Sequence, residues 1–286
     1  MNQVLLSQAS LEFRNFLTEK GHSTSTIVAY SKDIEQLVDF LKTKNKAQVD
    51  EVTQEDIEGF LAKMNEEGYT PKSVSRKINS TRTFYRFLKS KGYVKEDPSL
   101  QVSHPKYQLA PPRILTPTEY RALRDAARND ARMSAIIELL LQTGIRIGEL
   151  TALRLSDIHK DTLHIPAMEK HEERSVPLNK RAQEALNRYL EVRPKADDEH
   201  IFITKSGRPF LIRNIRTSIE RYFRLAEIKD AKVNDLRHTF VAHHLKHGAS
   251  IVTLSKILGH KRISTTERYL EYVPDRAAES QVLSEL

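Results

Sequence analysis

Two arginines, a lysine, a histidine and a tyrosine in the second half of this chain have the chemical types to break and remake a phosphodiester. They are Arg146, Lys170, Arg237, His260 and Tyr269, set in the stretches TGIRIGELTALRL, MEKHEERSVPL, NDLRHTF and LGHKRISTTERY. The first four are donors that can surround one phosphate, and the tyrosine is an oxygen nucleophile that can attack it. Such chemistry needs no metal and no nucleotide cofactor. The phosphate-cradling pattern GxxxxGK[ST] does not occur in the sequence.

Each of these side chains has to be aimed by an element. Met133 to Gln142 reads as an apolar helix that Gly144 can stop in a left-handed cap, which puts Arg146 at a corner. A planar guanidinium at a corner suits phosphate oxygens, though for Arg146 taken alone pairing with nearby Glu149 or Asp157 is the favoured reading. Arg237 stands early in a helix read from Asp235 to His247, where free backbone N–H groups also attract phosphate. Lys170 falls in the turn between two predicted strands, Leu163–Ala167 and Arg174–Leu178, where a solvated lysine is the plain alternative. Gly259 ends a helix that Ser250 begins, and His260 follows it. Ser264-Thr-Thr-Glu267 reads as a capping box that sets Tyr269 on the second turn of a short helix, with Tyr272 as packing.

In this order and spacing the set resembles the tyrosine recombinases, and among them the Xer recombinases, with the archaeal Xer enzymes nearest. The resemblance runs over nearly the whole chain and is strongest from Leu115 to Tyr272. It implies that Tyr269 is the nucleophile, leaving a 3′-phosphotyrosyl link and a free 5′-hydroxyl. It also implies that Lys170 protonates the leaving oxygen and that His260 donates to a non-bridging oxygen. One position departs from the family: a turn before Arg237, where histidine is usual, this chain has Asn234. Asparagine can donate to a phosphate oxygen or cap the helix, but it cannot shuttle protons. The implied partner is double-stranded DNA, the implied assembly a homo-tetramer on paired DNA, and the implied task resolution of chromosome dimers at a dif-like site. A phage or mobile-element integrase and a type IB topoisomerase share the chemistry. A non-catalytic DNA-binding protein that kept the fold is the reading from another class.

Composition agrees with an anionic partner. The 286 residues are enough for two domains, and the formal net charge is +8. With no cysteine, disulfides, thiolate–metal sites and a cysteine nucleophile are excluded. His243 and His247 have helical i, i+4 spacing, but no acid completes an HExxH pattern, so no metal is expected. No secretory signal or apolar run of roughly 18–20 residues is present, so no membrane association and a cytoplasmic location are expected.

The expected fold is mainly α with a small β-sheet in the catalytic domain (α+β), arranged as a two-domain C-shaped DNA clamp. Residues 1–102 read as a helical core-binding domain, 103–114 as a linker with three prolines, and 115–286 as the catalytic domain with a C-terminal tail. Lys72, Arg76, Lys77, Arg82 and Arg86 lie on one helical stretch with no acid from 71 to 95, a candidate DNA-facing surface or a solvated basic face. Arg208, Arg213, Arg216, Arg221 and Arg224 form a second basic stretch. A short strand is expected at Ile201–Ile203. After Pro274 a short apolar face, Ala277, Ala278, Val282, Leu283 and Leu286, is expected to dock on a neighbouring protomer or on its own domain.

Overall fold

A computed structural model describes residues 4–108, 110–168 and 171–273. The chain divides into two compact units, Met1–Leu109 and Ala110–Leu286.

The first unit is a bundle of four helices: α1 (Leu6–Glu19), α2 (Thr24–Thr43), α3 (Gln54–Glu66) and α4 (Pro71–Ser90). Their starts follow from side-chain chemistry. Ser23 caps α2 by accepting from the Thr26 N–H, Thr53 and Asp56 form a capping box on α3, and Pro71 follows the Thr70 cap of α4. The apolar faces close over Phe13, Leu17, Ile34, Leu37, Phe60, Phe84 and Leu88, with Phe84 edge-on to Phe13 at 5.2 Å between ring centres. Among the described residues of this unit, extended pairing is limited to the single bridge Leu5–Gln48.

The second unit is built around α6 (Ala131–Thr143), whose side chains from Met133 to Thr143 are nearly all buried. A helix apolar on every side has to be surrounded. Here α5 (Pro117–Ala127), α8 (Lys180–Val192), α9 (Ile212–Leu225) and α10 (Val233–Lys246) pack around it. The Thr116–Glu119 capping box starts α5 as its sequence signature indicates. A short helix, α7 (Ile147–Ala152), follows α6 after a tight corner. The sheet is one antiparallel hairpin, β1 (Thr162–Ile165) with β2 (Arg174–Pro177), in register Ile165↔Arg174 and Leu163↔Val176. Two further helices, α11 (Ile251–Leu258) and α12 (Ser264–Glu267), lead into a 3₁₀ turn at Arg268–Tyr272.

Three local expectations change. Ile201–Ile203 forms no strand of its own: His200 and Ile203 make isolated bridges to Arg154 and Pro209. The helix bearing Arg237 begins at Val233, because the Asp235 carboxylate reaches back to the Lys232 N–H at 2.7 Å and fixes the start there. Asn234 therefore lies inside the first turn and does not cap it. Ser264 caps nothing either, since the backbone is already helical at Ile263; Tyr269 sits in the 3₁₀ turn. The expected tail helix after Pro274 lies outside the described residues.

Candidate active site

The corner that holds Arg146 depends on Gly144. Its φ is +62°, and a Cβ there would stand 2.4 Å from the Phe240 ring. Only glycine ends α6 so tightly against α10. Arg146 then becomes the residue before α7, and Glu149 on that helix accepts both the Arg146 N–H at 2.8 Å and its Nη1 at 2.9 Å. The sequence left a choice between pairing with Glu149 and facing a ligand. Arg146 pairs with Glu149 yet leaves 29% of its side chain exposed.

Glu149 serves a second arginine. Arg174, on β2, gives it two bonds of 3.0 and 2.8 Å and passes its Nε to the Ile257 carbonyl at 2.7 Å. Burial pushes the Glu149 carboxyl up, but hydrogen bonds from Arg174 and the Arg146 backbone, with both guanidinium charges, outweigh it and hold it at about 2.

Arg237 enters from α10 and is 6% exposed. It donates to the carbonyls of Gly144 at 2.5 Å and Leu258 at 2.8 Å, while Arg146 donates to Leu258 at 3.2 Å and Gly259 at 3.4 Å. The Leu258 and Gly259 carbonyls are orphan acceptors at the C-terminal end of α11, and that of Gly144 ends α6; at both ends the helix dipole is negative and favours cations. Burial, and then the Arg146 charge, push the Arg237 guanidinium down to about 9, which leaves it charged at neutral pH.

His260 follows Gly259, whose φ of +60° turns the chain out of α11. Its Nε2 accepts from Arg237 at 2.9 Å, which puts the ring proton on Nδ1, toward Thr266 Oγ1 at 2.8 Å. Burial first, then Arg237 and Arg146, push the ring down to about 4, so it is neutral at neutral pH.

Tyr269 is half-buried, and its Oη lies 2.6 Å from Nδ1 of His238 on α10. The two rings are tilted, 5.6 Å apart. Burial raises the phenol, while Arg237 and Arg268 lower it. Asn234, one turn before His238, places Nδ2 2.7 Å from His238 Nε2. Tyr272 is elsewhere, lining a cavity of about 530 Å³ with Leu115, Tyr120 and His243. Lys170 lies outside the described residues. Its described neighbours Met168 and His171 exchange backbone bonds of 3.0 and 2.9 Å. Among the described residues, the His171 Nδ1 is buried without a hydrogen-bond partner.

Arg146, Arg237, His260, Asn234 and Tyr269 thus share one cluster built from α7, α10 and the turns after α11. Sequence reasoning missed His238, Arg174, Thr266 and His171. His238 carried a signal, since it adjoins Arg237 in NDLRHTF; the others depend on tertiary contacts.

The basic face of α4 needs correction. Lys77 is 1% exposed, its ammonium bound to Asp33 at 3.0 Å and to Gln36, so it is part of the core and offers nothing to a phosphate. Arg82 spends its guanidinium on the carbonyls of Ser99, Leu100 and Val102. Arg76 is partly exposed but paired with Asp33. Lys72 and Arg86 are exposed, as are Arg208, Arg213, Arg216, Arg221 and Arg224 of the second unit.

Two family models match the chain: "Phage integrase family" over residues 113–275, and "Phage integrase, N-terminal SAM-like domain" over 12–92. A tyrosine recombinase XerC of Oceanobacillus iheyensis is 34% identical over 281 residues, covering 93% of this chain and 92% of the relative. A tyrosine recombinase XerD of Listeria innocua is 32% identical over 272 residues, covering 90% and 92%. Among solved structures, a XerA recombinase is 28% identical with TM-score 0.54, covering 92% of this chain and 93% of that one. A lambda integrase tetramer bound to a Holliday junction is 19% identical with TM-score 0.77, covering 92% and 79%, a likeness of fold.

Proposed function

This chain belongs to the phage integrase family and is a DNA strand-transferring tyrosine recombinase of the Xer type, and we propose that Tyr269 is its nucleophile. One observation carries that reading. Arg146 and Arg237 converge on the end of α11, and Tyr269 is held by the same α10 that supplies Arg237.

Attack by Tyr269 Oη on phosphorus forms the 3′-phosphotyrosyl bond and breaks the bond to the 5′ oxygen. Charge builds on the non-bridging oxygens of the pentacoordinate transition state. Two guanidinium groups already fixed in place stabilise that charge without reorganising. The negative charge of a phosphate favours the His260 imidazolium, whose Nε2 then donates to a non-bridging oxygen. Lys170 supplies the proton that the leaving 5′ oxygen needs. The covalent link keeps the bond for the reverse step, so no nucleotide is consumed.

The substrate is duplex DNA, held by a core-binding unit at residues 1–102 and the catalytic unit from 115, joined through 103–114. Exposed Lys72 and Arg86 and the arginines of α9 are the phosphate contacts this reading favours. Exchange between two duplexes takes four protomers, on the pattern of the tetrameric lambda integrase complex. Resolution of chromosome dimers at a dif-like site fits the Xer-type relatives better than integration does. No described helix is long and apolar enough to cross a membrane, in keeping with work on DNA in the cytoplasm.

The test is a nicked suicide duplex carrying a core site selected by this protein from a random library. The wild type should leave a covalent protein–DNA adduct, and Tyr269→Phe should bind equally well and leave none. Cleavage by Tyr269→Phe, lost instead in Tyr272→Phe, would overturn the assignment.

A further inference from the structure

Nothing in the five-residue set accounts for the phenolic proton. Before Tyr269 can bond to phosphorus its Oη must lose a hydrogen. Burial makes that harder by raising the phenol above its ordinary value. Arg146 and Arg237 are cations without a lone pair to offer. His260 has Nε2 engaged by Arg237 and Nδ1 by Thr266. The position that commonly holds histidine in the family is Asn234, which cannot take a proton.

His238 stands where the proton would go. Its Nδ1 is 2.6 Å from Tyr269 Oη, and its Nε2 is 2.7 Å from the Asn234 amide. We infer that His238 is the general base for Tyr269, with Asn234 setting its tautomer.

Asn234 presents Nδ2, a donor, to Nε2; a half turn of its amide presents Oδ1 instead and makes Nδ1 the basic nitrogen. Oxygen and nitrogen of an asparagine exchange places by a half turn, and the neighbouring groups decide between them. With Oδ1 toward the ring, Nε2 carries the hydrogen and Nδ1 keeps its lone pair facing the phenol. The Oη–H bond then breaks as the Oη–P bond forms, and the hydrogen passes to Nδ1, leaving an imidazolium. On rejoining, the 5′ hydroxyl gives its proton to the group that protonated the leaving oxygen and displaces Oη, and Nδ1 returns its own proton to Oη. Atoms and charge balance without any further reactant. Asn234 suits the second position because it can accept from Nε2–H in both states of the ring without titrating itself.

The surroundings agree. The charged groups about the pair are Asp235 and Arg237 on α10 and Arg268 beside Tyr269. Burial, with Arg237 outweighing part of the Asp235 effect, holds His238 below its ordinary value, so it is neutral and able to accept at neutral pH. A general base positioned this way contributes about 10²–10⁴-fold.

This inference rests on Tyr269 being the nucleophile, and the experiment separates the two. Single-turnover adduct formation on the nicked suicide duplex is followed between about pH 5 and pH 9, at saturating protein, for wild type, His238→Ala, His238→Gln, Asn234→Ala and Tyr269→Phe. His238→Ala should bind the duplex normally yet cleave about 10²-fold or more slowly. Its rate should rise with hydroxide across the range, where the wild type levels off once His238 is neutral. Added imidazole should restore part of the loss, and Asn234→Ala should slow cleavage less. His238→Gln keeps a hydrogen bond to the phenol without titrating, so it should be as slow as His238→Ala. Cleavage by His238→Gln at the wild-type rate, or a slow His238→Ala with the wild-type pH profile, would reduce His238 to packing and overturn the inference. An adduct from Tyr269→Phe would instead show that the nucleophile itself was misassigned.

Discussion

Arg146 and Arg237 donate to the same carbonyl oxygen, that of Leu258, at 3.2 and 2.8 Å. Two like charges are thereby held side by side before any phosphate arrives, by an acceptor that the end of a helix leaves unsatisfied. Folding has already met the cost of bringing them together, so a phosphate oxygen finds both donors in place.

That arrangement makes Gly259, like Gly144, a sensitive backbone position of the site. Its φ is +60°, and a Cβ would meet Arg174 Nη1 at 2.9 Å. Gly259→Ala should cost about 1–2 kcal/mol from the left-handed conformation and also slow cleavage, because Arg174 cannot yield without disturbing Glu149. Gly21 has a similar φ of +65° with open space around it. Gly21→Ala should therefore lower the urea midpoint comparably and leave the cleavage rate unchanged. Equal cleavage by both variants would separate the Leu258 carbonyl from catalysis.

Glu149 is the shared anchor of Arg146 and Arg174, and its carboxylate is 1% exposed. Glu149→Gln leaves two guanidinium groups with one neutral acceptor. The expected loss is about 3–5 kcal/mol of stability, with slower cleavage at saturating DNA. Its folded value of about 2 lies below the ordinary 4.5, so the carboxylate stabilises the fold fully above pH 4.5 and the contribution fades as pH falls toward 2. Chemical denaturation at a series of acidic pH values should show that loss in the wild type and a flatter profile in Glu149→Gln. Parallel profiles would mean that the carboxylate is not held by the two arginines.

The site was legible in sequence wherever local rules decided it. Gly144 and Gly259 announced the corners that expose Arg146 and His260, and both adopt the left-handed caps those rules require. The rest depended on contacts between distant segments. His238 looked like one more helical residue until the turn bearing Tyr269 packed on it. Lys77 looked like part of a basic face because sequence shows charge but not the Asp33 carboxylate from α2 that draws it inward. Ser264 matched a capping box, but the chain was already helical one residue earlier.

The α4 lysines and arginines should now divide into two groups. Lys77→Met breaks a buried pair with Asp33 and should lower the stability of the first unit by about 3–5 kcal/mol. At concentrations where the variant stays folded, the salt dependence of DNA binding should be unchanged. Lys72→Ala and Arg86→Ala should leave the urea midpoint alone and each reduce the log–log salt slope by about 1. A normal slope in both would remove this face from the DNA interface.

The last expectation concerns Lys170 and its neighbour His171. Met168 and His171 close the hairpin, and the buried Nδ1 of His171 lies in a neighbourhood where burial, then Arg146, lowers its basicity. Two groups on this turn could therefore hand a proton to the leaving 5′ oxygen. A lysine ordinarily keeps its proton at neutral pH, whereas His171 is held below the ordinary histidine value, so Lys170 is the better acid. Lys170→Ala should lose cleavage of an ordinary duplex and recover it on a substrate with a 5′-phosphorothiolate, whose leaving group needs no proton. His171→Ala should be slowed equally on both substrates, if at all. Rescue of His171→Ala by the thiolate, with Lys170→Ala slow on both, would transfer the acid role from the lysine to the histidine.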